Sequence, residues 1–192
     1  GLEPDAFLVL THAERFPTAG YVQSRTWGFP AYEAVAYPLV SGLGQTAGKI
    51  YSLGWFLLAV ALFFGLARRQ APLASATLAT LGFALLPVSL ISGNTLLETS
   101  QGMALALVAV GAFFRWLDAP RPGTLYLLAA ALGLATATRP DYVVLSAACG
   151  VALLIAARPS WRPAVVASAI YLALAALPFT LYGSQTFGLG VV

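Results

Sequence analysis

The sequence predicts an all-α fold, a polytopic transmembrane helix bundle of about six spans with an outer loop of short interfacial helices before it. Three observations point there. The chain is 59% hydrophobic and 9% charged, with a mean hydropathy of +0.83, whereas soluble domains carry roughly 25% charged residues. Its apolar runs are continuous, without the two-residue alternation of an outer-membrane barrel. Short arginine-bearing segments separate those runs, as loops between spans do.

The same composition excludes other classes. The pI of about 9.3 is no nucleic-acid signature, because the basic residues are dispersed over short loops rather than gathered on a stripe. Cys149 is the only cysteine, so there is no disulfide within the chain, and inside an apolar run it reads as a small core residue. A lone histidine, His12, with no second at ligand spacing argues against zinc.

Residues 1–49 form the one long polar stretch and are expected to be extracytoplasmic. Gly1 to Asp5 reads as the middle of a loop, with no cleavable signal sequence, so the chain is expected to be part of something longer. Asp5 to Arg15 favours a short helix, broken at Phe16-Pro17. Ser24 to Pro30 is a turn-rich loop. Residues 31–43 suit an amphipathic helix lying at the interface, stopped by Gly42-Leu43-Gly44. Lys49 then anchors the headgroup region, and residues 50–192 are the bundle.

Spans are expected near 50–66, 72–91, 101–117, 124–138, 142–157 and 164–182. Several fall short of the ~20 residues of a perpendicular crossing. Alternate loops must share a side. One set holds Arg68, Arg69, Arg115, Arg121, Arg158 and Arg162 against the single acid Asp118, and the positive-inside rule places it in the cytoplasm. The other set holds the N-terminal loop, Asn94, Glu98, Arg139 and Asp141. The fourth span, at 1.5 Å per residue, reaches roughly 22 Å, so Arg139 is expected at membrane depth, where an ionisable group marks a functional site by default. The plainer reading is an Arg139–Asp141 pair, or a guanidinium extended to the headgroups.

Taken in order, these features resemble a known group. Arg25-Thr-Trp-Gly-Phe-Pro-Ala-Tyr-Glu33, an interfacial helix, Ala67-Arg-Arg69, Ser92-Gly-Asn-Thr-Leu-Leu-Glu98 between two spans, and Ala137-Thr-Arg-Pro140 look like the N-terminal half of a GT-C superfamily glycosyltransferase, without its first span. The protein mannosyltransferase-like and aminoarabinose transferase-like members use polyprenyl-phosphate-linked sugars. The resemblance implies that Asp5, in the first outer loop, and Glu98, in the next, are the catalytic carboxylates. Asp5 is followed by Ala6, where many members have an acidic pair. Arg139 matches a basic residue found near the donor phosphate.

The residue chemistry suits that reading. Displacing a phosphate-linked sugar calls for a base beside the acceptor, the role of Asp5, with Glu98 orienting the acceptor. The leaving phosphate calls for cations, for which Arg139 and Arg25 are candidates. Trp27, Tyr21 and Tyr32 suit stacking on a sugar ring or the isoprenoid, and Asn94 lies in the same outer loop as Glu98. The carboxylates of Glu3, Asp5 and Glu14 permit a divalent metal without requiring one, and no other cofactor is implied.

Each residue also has a plainer role. Asp5 suits a helix N-cap, Glu98 a cap for the third span, Arg25 a pair with Glu33, and the aromatics an interfacial belt. The leading expectation is a transferase moving sugar from a polyprenyl-phosphate-type donor on the outer face of a bacterial inner membrane, among membrane lipids. The alternative is a non-catalytic GT-C-like subunit packed with other membrane subunits. A transporter is disfavoured, because no internal repeat and no acid pairs within spans are seen.

Overall fold

The computed structural model describes residues 31–86, 99–156 and 160–176. It is helical, with no strand among the described residues. We number the helices α1 (Ala31–Leu43), α2 (Gln45–Gln70), α3 (Leu73–Leu85), α4 (Thr99–Asp118), α5 (Pro122–Thr138), α6 (Val143–Ala156) and α7 (Trp161–Ala175), with a 3-10 turn at Pro140–Tyr142 between α5 and α6.

Glycine and proline set the boundaries. Gly44 lies at φ +83°, a backbone state that costs a residue without Cβ little, and there the chain turns from α1 into α2. The expected interfacial helix therefore ends where its glycines placed it. Pro72 follows the last turn of α2 and precedes α3. Pro122 occupies the first turn of α5, where its missing N–H costs nothing. Pro140 forces Arg139 out of the helix into an extended conformation, φ −148° and ψ 125°, and so stops α5.

Helix lengths depart from the expected spans in an informative way. The first apolar run, 50–66, is embedded in a 26-residue helix whose polar flanks Gln45-Thr46 and Arg68-Arg69-Gln70 are helical too. The second, expected to run to 91, is helical over Leu73–Leu85, and residues 87–91 lie outside the described residues. Gln45–Gln70 and Thr99–Asp118 are long and apolar enough to cross a membrane, while α3, α5, α6 and α7 are shorter apolar helices.

Side-chain contacts give the directions of the helices. Tyr51 of α2 meets Gln101 of α4, and at the opposite ends Arg69 pairs with Asp118, so α2 and α4 are antiparallel. α3 returns along α2, with Phe63 and Phe83 stacked at 4.6 Å. α5 doubles back along α4 after Ala119–Arg121, bringing Arg139 to Thr99. α7 runs alongside α5, with Tyr171 near Thr136. The charged side chains described are sorted accordingly: Arg68, Arg69, Arg115, Asp118, Arg121 and Arg162 lie at one end, Lys49, Arg139 and Asp141 at the other.

α5 is the centre. It packs most heavily on α4 and α7 and touches α1, burying Leu125, Leu128, Leu132 and a row of alanines. Close approach depends on small residues. A Cβ at Gly133 would stand 2.8 Å from the carbonyl oxygen of Tyr171 and 2.9 Å from Cβ of Leu174, so α7 lies directly on the α5 backbone. The exterior is apolar. Leu57, Leu78, Val144 and Leu172 all point outward, each more than half exposed, an outer surface that water does not favour at this extent.

Candidate functional site at the Arg139 end of the bundle

The candidate site is built on the turn that follows α5. Its last helical hydrogen bond is donated by the Arg139 amide to Ala135 O at 2.8 Å, and the amide of Tyr142 closes the next turn onto Arg139 O at 3.2 Å. Held extended between them, Arg139 projects its guanidinium in two directions. Nη2 donates to Asp141 Oδ2 at 2.7 Å, and Nη1 reaches Thr99 Oγ1, in the first turn of α4, at 3.4 Å. The Arg139 side chain is 34% exposed and that of Asp141 72% exposed. Among the described residues these contacts engage two of the guanidinium's five N–H donors, and the planar fork can meet a further acceptor.

Buried polarity concentrates at this end. Ser52, Ser100, Gln101 and Thr138 are all buried, and Thr80 on α3 is the remaining buried polar residue among those described. Ser52 Oγ donates to Gly48 O and Thr138 Oγ1 to Leu134 O. The Tyr51 hydroxyl donates to Gln101 Oε1 at 3.1 Å, tying α2 to α4. Ser100 Oγ is fully enclosed with no hydrogen-bond partner among the described residues, an arrangement that costs on the order of 1–3 kcal/mol.

Below the turn, an apolar groove of about 490 Å³ opens between α6 and α7, with α5 as its floor. α6 touches α5 and α4 only lightly and is held mainly at its upper end. Leu128, Leu132, Cys149, Leu153 and Leu172 line the groove, and Ser146 and Tyr171 stand among them. Thr136 Oγ1 lies 3.4 Å from both Ser146 Oγ and the Tyr171 hydroxyl, a polar knot joining α5, α6 and α7 near the upper end. Val143, at the top of the groove, is one turn from Arg139.

Of the residues singled out in the sequence, Arg139 is placed in full. Tyr32 belongs by its backbone to α1. Asp5, Tyr21, Arg25, Trp27, Asn94 and Glu98 lie outside the described residues. α5 has 17 residues, about 25 Å, still short of the ~30 Å hydrocarbon core. The local Arg139–Asp141 pair, one of the two plainer readings of Arg139, is present. The divalent-metal question rests on residues 3–14, also outside the described residues; among those described, no three His, Cys, Asp or Glu side chains come together.

The sequence carried no sign of the orphaned Ser100, the Tyr51–Gln101 bond or the hydroxyl knot. Each rests on single polar atoms in otherwise apolar runs, and the last two link helices. No protein-family model, no curated protein and no solved structure matches the chain.

Proposed function

We propose that this chain is part of a multispan membrane glycosyltransferase that moves a sugar from a polyprenyl-phosphate-type donor to an acceptor on the outer face of a bacterial inner membrane. The observation that carries the reading is the reach of Arg139 to Thr99, the residue directly after Glu98 in the chain. A guanidinium with donors unused among the described residues lies beside the chain neighbour of a candidate carboxylate, at the end of the bundle away from the arginine-rich loops. In the transfer, the acceptor oxygen bonds to the sugar's anomeric carbon while the bond from that carbon to the phosphate oxygen breaks. The acceptor proton goes to a carboxylate, Asp5 or Glu98. The departing polyprenyl phosphate keeps the bonding pair, and its charge is met by Arg139, with Arg25 as the second candidate cation. The groove below Arg139 takes the start of the isoprenoid tail, and Tyr21, Trp27, Tyr32 and Asn94 remain the candidates for the sugar.

The experiment is sugar transfer from a short-chain polyprenyl-phosphate donor by membranes holding the chain, with Asp5→Asn, Glu98→Gln and Arg139→Gln. Loss of transfer in folded variants supports the reading; parental rates in all three overturn it.

A second reading is favoured by the Arg139–Asp141 pair, since a guanidinium already opposite a carboxylate is also what a structural ion pair looks like. In that case the chain is a non-catalytic GT-C-like subunit of a larger membrane complex, and the same three variants alter assembly with partner subunits instead of transfer.

A further inference from the structure

We infer that Tyr142, seated on Gly102, is a positioning residue that holds Arg139 over the first turn of α4. The inference rests on the phosphate-binding role proposed above for Arg139. A Cβ added at Gly102 would lie 2.6 Å from Cε2 of Tyr142, 2.9 Å from its hydroxyl oxygen and 3.1 Å from Cζ. Ordinary carbon contacts begin near 3.4 Å, so the phenol ring occupies the place that a side chain at position 102 would take. Gly102 itself is buried.

The spacing makes this contact more than packing. Thr99 and Gly102 are three residues apart on α4 and therefore share a face. Arg139 and Tyr142 are likewise three apart, and the bond from the Tyr142 amide to Arg139 O closes the turn between them. Two cross-contacts thus run side by side: guanidinium to Thr99 hydroxyl, and ring to Gly102 backbone. The first, at 3.4 Å, is near the limit of a hydrogen bond and is too weak to fix a long, flexible side chain. The second is a rigid ring against a surface without a Cβ. It sets how far the Pro140–Tyr142 turn stands from α4, and so where the extended Arg139 directs its guanidinium.

The test is binding of farnesyl phosphate, compared with farnesol, to the intact chain in detergent micelles. Arg139→Gln is expected to weaken farnesyl phosphate by about tenfold or more, as loss of a charge-assisted pair does, and to leave farnesol unchanged. Gly102→Ala, which unseats the ring without touching Arg139, is expected to weaken farnesyl phosphate severalfold and leave farnesol unchanged. If Gly102→Ala does not fold, Tyr142→Leu removes the ring from the other side and decides the matter. Parental affinity for farnesyl phosphate in Gly102→Ala or Tyr142→Leu, with Arg139→Gln still defective, overturns the positioning role alone. Equal weakening of farnesol and farnesyl phosphate also overturns it, by showing a purely structural contact. Parental affinity in Arg139→Gln overturns the phosphate role on which the inference rests.

Discussion

Arg139 and Thr99, forty residues apart in the chain, meet with Nη1 3.4 Å from Oγ1 at one end of the bundle. That contact exists because α4 and α5 are an antiparallel pair joined by the short link Ala119–Arg121, so the start of the first and the end of the second coincide.

Asp141→Asn is expected to change stability by less than about 1 kcal/mol, because an ion pair this exposed is largely screened. Its affinity for farnesyl phosphate is expected to rise, since the carboxylate no longer competes for the guanidinium. Thermal unfolding in detergent and a binding titration check both points. A large loss of stability with no change in binding would favour the structural-subunit reading.

Ser100→Ala is expected to leave stability unchanged or raise it, by up to about 1–3 kcal/mol, because the hydroxyl is buried without a partner among the described residues. A clear fall in unfolding temperature would show that Ser100 Oγ is satisfied in the folded chain.

Gly133→Ala is expected to cost about 1–3 kcal/mol, the usual cost of overpacking. The new methyl meets a backbone carbonyl of α7, which cannot rotate aside. Gly111→Ala is its control. There the added Cβ stands 3.5 Å from Leu66 Cδ2, an ordinary contact, and helix propensity favours alanine by up to about 1 kcal/mol. Unfolding temperatures should therefore move in opposite directions.

Cys149 lines the groove and is the only cysteine in the chain, so it reports on groove occupancy without mutagenesis. Farnesyl phosphate at saturation is expected to slow its alkylation by an apolar maleimide severalfold. Unaltered kinetics would place the lipid tail elsewhere.

Sidedness is tested in a Cys149→Ser background. Asp141→Cys is expected to react with an impermeant maleimide in intact cells, and Ala119→Cys only after permeabilisation, since arginine-rich ends stay in the cytoplasm. The reverse pattern would put the Arg139 end inside and remove the outer-face reading.

Local chemistry made part of this legible from the chain. The first helix, α1, ends at Gly44 because glycine accepts a positive φ. α5 ends at Arg139 because Pro140 follows it. The separation of five described arginines from Arg139 follows from counting alternate turns. Where the reading fell short, the reason was also local: the polar flanks of the first expected span are helical, since nothing in Gln45-Thr46 or Arg68-Arg69 breaks a helix.

By itself, the sequence determined an all-α chain of apolar helices, most of their boundaries, and which charges share an end. Composition and the Gly and Pro signals act within a few residues, so no fold is needed to read them. The tertiary structure decided which helices touch. It made α5 the centre, left α6 standing off to open a groove, seated Tyr142 on Gly102 and carried Arg139 to Thr99. Helices that are apolar all round have no amphipathic stripe to announce their partners. What selects the packing is the size of single residues, a glycine or alanine where another backbone must come close, and that is a property of two surfaces together.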